Sequence, residues 1–183
     1  DLVLRHGRIV DGTGNLWVGT DEGLDRYNPV GETFVHYSNN PSDPNSLKTN
    51  IVQTLYESSD GILWVGTFGG SINKYDRTMD NFRNFSNDPE DPESIAGNIV
   101  FKVFIDSEQH AWIGTVDGGM SRLDLESGKA ISYRHNDDDP ASLSSNEVWA
   151  IFKDSRDILW VGTTEGLDRL DPGASGFTHY DRN

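Results

Sequence analysis

The chain has 183 residues, of which 34% are apolar, 25% charged and 10% aromatic, a composition typical of a folded globular protein. Its 30 acidic and 15 basic residues give a formal net charge of −15, which repels phosphate backbones and anionic lipids and so disfavours nucleic acid and direct membrane contact. The absence of cysteine excludes disulfides and thiolate metal sites.

The first segment, residues 1–38, contains one strong strand motif. Its opening, VLRHGRIV, is a weak strand signal because it carries Gly7 and lacks the leading Asn of later segments. LWVGT follows at Leu16–Thr20, and FVHY lies near the end of the segment. The polar stretch NNPSDPNSL, at Asn39–Leu47, then predicts a loop, since proline cannot donate to a strand ladder.

The second segment, residues 48–86, shows the repeating pattern most clearly. NIVQTLYE (Asn50–Glu57) and ILWVGT (Ile62–Thr67) are rich in β-branched and aromatic residues and flank the turn sequence SSDG. SINKYD (Ser71–Asp76) and NFRNFS (Asn81–Ser86) follow beyond two further turns. Four short strands joined by turns predict one four-stranded antiparallel meander.

The third and fourth segments, residues 96–135 and 144–183, repeat the same order. The third contains NIVFKVFI, AWIGT, GMSRLD and KAISYRH, and the fourth contains NEVWAIFK, LWVGT, GLDRLD and GFTHYD. Loops with the motif DP-x-S separate the segments. No stretch keeps apolar residues at i, i+3, i+4 and i+7, so the sequence predicts almost no helix.

One tryptophan recurs in every segment, at spacings of 47, 48 and 48 residues. This period matches the roughly 40 to 50 residues of a propeller blade, so the predicted fold is all-β, an arc of four four-stranded antiparallel β-propeller blades. One meander cannot bury both its faces, so we expect the indoles to fill the gaps between blades and the glycine two residues later to allow close backbone approach. The predicted structural residues are Trp17, Trp64, Trp112, Trp160, Gly19, Gly66, Gly114 and Gly162.

LWVGT, followed by EGLDR or a double-glycine turn and then by DP-x-S-[LI], resembles the two-component regulator propeller repeat. The resemblance extends over all four segments, because motif, spacing and loop recur together. It implies the periplasmic sensor region of a hybrid histidine kinase or diguanylate cyclase, and hence a periplasmic or extracellular location. It also implies rings of seven blades, of which four would form an open arc.

An open arc predicts association, because its terminal blades expose apolar faces and strand edges. Either the chain is a piece of a longer parent that supplies the remaining blades, or two copies join into an eight-bladed ring. Closure as a four-bladed ring is a third alternative. The sequence leaves all three open.

No catalytic residue, metal site or cofactor is predicted. The five histidines, His6, His36, His110, His135 and His179, have no metal-ligand spacing and are interpreted as structural. The acidic runs Asp88–Glu93 and Asp137–Asp139 have the chemistry of calcium ligands but are interpreted as solvated turns. No nucleophile with an adjacent base departs from the repeat.

The ligand site is predicted where the repeat varies, in the turn after each WVGT motif, because loops vary freely on a rigid frame. Phe68, beside Gly69 and Gly70, is expected to stack on a ring such as a sugar. Asp117 and Glu165 occupy the same turn in later segments, and Trp149 lies outside the motif on an inner strand. The predicted contacts with a small molecule or oligosaccharide are Phe68, Asp117, Glu165 and Trp149.

The resemblance predicts a ligand-sensing segment that signals to a downstream kinase or cyclase and is not itself an enzyme. One alternative is a propeller enzyme similar to streptogramin lyases, which use a histidine with a magnesium ion; no histidine here departs from the repeat beside an acidic cluster. A second alternative is a scaffold for protein contacts, which would have a flat apolar patch and no pocket.

Overall fold

A computed structural model describes residues 8–69, 71–106 and 110–181; His6, Gly7 and Gly70 lie outside these residues. The described residues form β-strands and turns, and no helix occurs among them. None of their segments is therefore a helix long and apolar enough to cross a membrane. The predicted all-β class is confirmed.

The strands form four antiparallel sheets of four strands, in which sequence neighbours are also sheet neighbours. Blade 1 comprises β1 (Arg8–Val10), β2 (Leu16–Gly19), β3 (Leu24–Asn28) and β4 (Thr33–Tyr37). Blade 2 comprises β5 (Val52–Glu57), β6 (Leu63–Thr67), β7 (Ile72–Asp76) and β8 (Asn81–Phe85). Blade 3 comprises β9 (Val100–Ile105), β10 (His110–Thr115), β11 (Met120–Asp124) and β12 (Ala130–Tyr133). Blade 4 comprises β13 (Val148–Lys153), β14 (Leu159–Thr163), β15 (Gly166–Leu170) and β16 (Thr178–Asp181).

The chain divides into two compact units, residues 1–86 (unit 1) and 87–183 (unit 2). In unit 1 the fully buried Trp17 of blade 1 packs in one cluster with residues of blade 2 and with Leu47 of the connecting loop. In unit 2 the buried Trp112 of blade 3 packs in the same way with blade 4 and with Leu143. Trp64 is fully buried, whereas Trp160 is only partly buried.

The first strand of blades 2 to 4 contains a β-bulge opposite its second strand. The pairing skips one residue in each case: Gln53, Phe101 and Trp149. A bulge leaves its extra residue outside the ladder and turns its side chain away from the regular alternation. Trp149 is therefore the unpaired residue of the bulge in blade 4.

Each connecting loop is held by the aspartate and serine of its DP-x-S motif. In the first loop Asp43 Oδ1 accepts the backbone N–H of Asn45 at 2.9 Å, and Ser46 Oγ accepts the N–H of Asn40 at 2.8 Å. Asp91 with Ser94, and Asp139 with Ser142, make the same bonds in the later loops. The motif is therefore satisfied within its own loop.

Candidate functional site

The threonine of each WVGT motif closes the turn that follows it. Thr20 Oγ1 donates to the carbonyl of Gly23 at 2.9 Å, and Thr115 Oγ1 donates to the carbonyl of Gly119 at 2.9 Å. Gly119 has φ +91°, and a Cβ there would lie 2.3 Å from the Tyr133 carbonyl oxygen, so only glycine fits. The turn is thus a rigid base for its variable residues.

Backbone hydrogen bonds join this turn to the loop that enters the same blade. In blade 2 the N–H of Phe68 donates to the carbonyl of Ile51 at 2.8 Å. In blade 3 the N–H of Val116 donates to the carbonyl of Ile99 at 3.2 Å. The variable turn and the inter-blade loop therefore lie side by side at one end of these blades.

A cleft of about 1130 Å³ opens in unit 2 between these turns and the loop that joins blades 3 and 4. Two of the predicted ligand residues, Asp117 and Glu165, line this cleft together with three further carboxylates and two histidines. These are Asp137, Asp139, Glu147, His135 and His179. The excess of carboxylates favours neutral or cationic ligands over anions.

Asp117 also braces the loop that enters blade 3. Its Oδ2 accepts the backbone N–H of Asn98 at 3.1 Å, and its Oδ1 accepts that of Ile99 at 3.2 Å. A Cβ at Gly97 would lie 2.3 Å from Asp117 Oδ1, so glycine leaves the room that this carboxylate needs. Each oxygen keeps acceptor capacity for a ligand hydroxyl.

Glu165 is exposed, and its backbone N–H donates to Thr163 Oγ1 at 3.2 Å. The backbone of this turn is therefore fixed while the side chain extends from it. Glu165 can adjust to a ligand, because a long exposed side chain samples several rotamers.

Trp149 is 49% exposed and packs edge-on against Phe101, with ring centroids 4.6 Å apart. Both residues stand at β-bulges, on the first strands of adjacent blades. Trp149 does not line the cleft itself, although Glu147, two residues earlier, does. The pair forms an exposed aromatic surface in unit 2.

Phe68 lies in unit 1, apart in sequence from the other three predicted ligand residues, which all belong to unit 2. Its side chain is 43% exposed, and its carbonyl accepts a hydrogen bond from Thr49 Oγ1 at 2.9 Å. The following Gly69 has φ +71°, a conformation that favours glycine.

The side chains of His135 and His179, which line the cleft, are engaged in hydrogen bonds with neighbouring groups. His179 Nδ1 lies 2.7 Å from Asp168 Oδ1, directly opposite it across β15 and β16, and its Nε2 lies 2.9 Å from the Pro140 carbonyl oxygen. His135 Nδ1 and Nε2 lie 2.7 Å from the Leu143 carbonyl and 2.9 Å from Asp137 Oδ1. These two acceptors raise the pKa of His135 by stabilising its protonated ring.

Sequence reasoning missed the polar pairs that join each connecting loop to the next blade. Asp168 Oδ2 accepts the N–H of Ser144 at 2.8 Å in blade 4, and Ser121 Oγ accepts that of Ala96 at 2.6 Å in blade 3. Asn73 accepts from Lys48 in blade 2. Alignment of the four segments would have placed these positions together, but their different residue types hide the shared role.

Among the described residues, no group of three or more His, Asp or Glu side chains has a geometry that could hold a metal ion. The carboxylates of the cleft pair with backbone N–H groups or with His135, or extend into solvent.

The repeat matches a known family model. A family model described as "Two component regulator propeller" matches residues 46–69 and 142–165. This confirms the resemblance read from the repeat, because each matched stretch contains the LWVGT motif and begins at the serine that ends DP-x-S. No curated protein matched the chain.

Solved structures of related sensor domains are similar to this chain over most of its length. The extracellular domain of a hybrid two-component system from B. thetaiotaomicron has a TM-score of 0.80 and 26% identity, covering 94% of this chain and 24% of that one. The extracellular domain of a one-component system from the same organism has a TM-score of 0.77 and 25% identity, over 94% and 24%. The present chain thus spans about a quarter of each.

A gluconolactonase from Xanthomonas campestris is similar at 13% identity and a TM-score of 0.58, covering 96% of this chain and 61% of that one. At this identity the likeness shows the fold alone.

Proposed function

We propose that this chain, which carries two-component regulator propeller repeats, is a ligand-sensing segment of a bacterial two-component-type sensor. The observation that carries the proposal is the likeness, over 94% of the chain, to the extracellular domain of a hybrid two-component system. The same likeness supports a periplasmic or extracellular location. The segment recognises a ligand and does not transform it.

The ligand that best suits the cleft of unit 2 is a neutral small molecule or oligosaccharide. Carboxylates such as Glu165 and Asp117 accept hydrogen bonds from sugar hydroxyls, and the excess negative charge disfavours acidic ligands at this place. The Trp149 and Phe101 rings offer an apolar surface for a sugar face. Phe68 lies in unit 1 and stays a separate prediction of a ligand contact there.

Signalling requires that ligand binding alter the packing of blades and that this change reach a kinase or cyclase elsewhere in a longer parent protein. The tight packing around Trp112 supports this step, because packed interfaces in general respond to a local change by switching between discrete arrangements rather than by deforming continuously. The remaining blades of that parent, or a second copy of this chain, are the proposed protein partners.

Thermal unfolding with a library of neutral saccharides tests the proposal. A bound ligand raises the Tm. When the ligand concentration is a hundred times Kd, the free energy of unfolding rises by about 2.7 kcal/mol. For the saccharide that binds, we expect Glu165→Gln and Trp149→Ala to weaken binding about tenfold each. Glu22→Gln is the matched control, because Glu22 occupies the same turn in blade 1 and lies in unit 1.

A library without any stabilising member, or equal affinity in the Glu165 and Trp149 variants and the control, would contradict the proposed site. A phosphotransfer assay of a parent protein, with and without that saccharide, tests the signalling step separately.

A further inference from the structure

The two units contain the same aromatic frame between their blades. In unit 1 Trp17 stacks on Tyr37 at a centroid distance of 5.7 Å, and Tyr37 meets Phe82 edge-on at 5.5 Å and 88°. The Arg26 guanidinium lies 5.4 Å from the Trp17 ring centroid and 5.5 Å from that of Tyr37. The frame therefore presents a cation and a phenol to the groove between the blades.

A carboxylate of the chain itself occupies this groove in unit 1. Asp80 Oδ1 accepts hydrogen bonds from the hydroxyl of Tyr37 at 2.6 Å and from that of Tyr75, and it lies 3.3 Å from Arg26 Nη1. Burial opposes ionisation of Asp80, but the two tyrosine hydroxyls and the guanidinium hold its pKa below the usual value. The frame in unit 1 therefore binds a carboxylate through two phenol hydroxyls and a guanidinium.

Unit 2 repeats the frame with nearly the same geometry. Trp112 stacks on Tyr133 at 6.0 Å, and Tyr133 meets Phe177 edge-on at 5.8 Å and 88°. The Arg122 guanidinium lies 5.8 Å from the Trp112 ring centroid. Arg122 and Tyr133 thus take the places of Arg26 and Tyr37.

The built-in carboxylate is missing from the second frame. Six residues separate Tyr75 from Phe82, and six separate Leu170 from Phe177, so the two turns align without a gap. Leu170 then stands in place of Tyr75, and Ser175 in place of Asp80. The groove that Asp80 fills in unit 1 is a cleft of about 430 Å³ in unit 2, lined by Arg122, Tyr133, Leu170 and Lys153 among others.

Two donors of this cleft, Arg122 and Tyr133, are open to a ligand. Arg122 reaches His110 Nε2 at 3.3 Å but makes no salt bridge to a described carboxylate, and the Tyr133 hydroxyl has no hydrogen bond to a described residue. The acidic residues of the cleft already have donors. Asp106 accepts from the Trp112 indole, Asp157 lies by Lys153, and Asp171 lies by Arg169.

We infer that this cleft binds the carboxylate of a small acidic ligand between Arg122 and Tyr133, in the position that Asp80 occupies in unit 1. Its volume suits a monosaccharide or a short organic acid. The inference is independent of the neutral ligand proposed for the loop cleft, because the two sites share no lining residue. The acidic group would be the feature that selects this ligand.

The test follows the indole ¹H–¹⁵N signal of Trp112 in the 183-residue chain, assigned with Trp112→Phe, during titration at constant ionic strength. Glucuronate and glucose are the probes, since they differ in a carboxylate against a hydroxymethyl group. We expect a saturable shift with glucuronate, with a Kd on the order of 1 mM, and no saturable shift with glucose. No saturable shift with glucuronate, or an equal one with glucose, overturns the inference.

Variants separate the site from a general charge effect. Ser175→Asp, alone or with Leu170→Tyr, recreates the unit 1 arrangement and should abolish glucuronate binding while the other indole signals keep their positions. Arg122→Gln and Tyr133→Phe should each weaken binding about tenfold. Arg156→Gln removes the same charge at an exposed position outside the cleft and should bind as wild type. Unchanged binding in the folded Ser175 and Arg122 variants would overturn the assignment.

Discussion

Three of the four repeated tryptophans donate their indole N–H to a carboxylate six residues earlier in the chain. The distances are 2.7 Å for Trp17 to Asp11, 2.8 Å for Trp112 to Asp106 and 3.2 Å for Trp160 to Asp154. In the second segment Ser58 stands at this position, and the buried Trp64 Nε1 has no hydrogen-bond partner among the residues that the structure describes. A buried donor without an acceptor costs about 1 to 3 kcal/mol. The period of the tryptophans was visible in the sequence, but their acceptors were not, because the aspartates resemble ordinary turn residues.

Restoring the acceptor should stabilise the chain. Ser58→Asp combined with Asp60→Thr reproduces Asp11 and Thr13 of the first segment and avoids two adjacent carboxylates. We expect a gain of about 1 to 2 kcal/mol in the free energy of unfolding, measured with urea. Asp60→Thr alone is the control and should give no such gain. Equal stability of the double variant and this control would mean that the indole gains nothing from the carboxylate.

Acid should weaken the first of these pairs. Burial raises the pKa of Asp11, but hydrogen bonds from Thr13, Trp17 and Arg77 lower it well below its usual value. A depressed folded-state pKa contributes stability above the unfolded pKa of about 4 and loses it as the pH falls toward the folded pKa. Urea unfolding at pH 6, 4 and 2.5 should therefore show a smaller loss for Asp11→Asn than for the wild type. Parallel losses in the two proteins would exclude this contribution.

At the level of strands and turns, alternation in the sequence was a sufficient guide. SINKYD and NFRNFS, for example, predicted β7 and β8 to within a residue or two. The bulges at Phe101 and Trp149 were not predictable, because a bulge is a property of two paired strands. Asp117 and Glu165 were placed correctly in the motif turns, yet the bonds from Asp117 to the neighbouring loop depend on tertiary contacts that one segment cannot encode.

The glycine of the motif turn should be more sensitive to substitution than a glycine in an open turn. Gly119 and Gly173 both have positive φ, at +91° and +76°, but only Gly119 has a backbone oxygen within 2.3 Å of an added Cβ. Gly173→Ala should cost about 1 kcal/mol, and Gly119→Ala about 1 to 3 kcal/mol more because the turn must move. Thermal unfolding of the two variants compares them. Similar losses would show that backbone conformation alone decides the cost.

At the scale of the whole molecule, the sequence predicted some of the contacts between blades and not others. The interface clusters follow the repeated tryptophans and were predictable as a class. The difference between the Asp80 groove and its open counterpart in unit 2 was not, because it depends on two substitutions whose meaning appears only when two blades face each other. Phe68 was grouped with Asp117 and Glu165 because all three follow the repeated motif, and with Trp149 because that tryptophan lies outside the motif on an inner strand. Phe68 lies in unit 1, whereas the other three lie in unit 2.

Blade 4 exposes the apolar face that carries its repeated tryptophan. In blades 1 and 3 the equivalent face is covered by the next blade. The exposed face predicts association of the isolated chain. Phe152 lies opposite Trp160 and is 63% exposed, and Leu167 lies opposite Tyr180 and is 40% exposed. Apolar side chains grouped in this way favour contact with another blade, supplied here by a second copy. Sedimentation should show a mass that increases with concentration, and Phe152→Ser with Leu167→Ser should abolish the increase. Val30→Ser, at a 94% exposed residue of a blade 1 turn, should leave it unchanged. A wild-type chain that stays monomeric at all concentrations would show that this face does not drive association by itself.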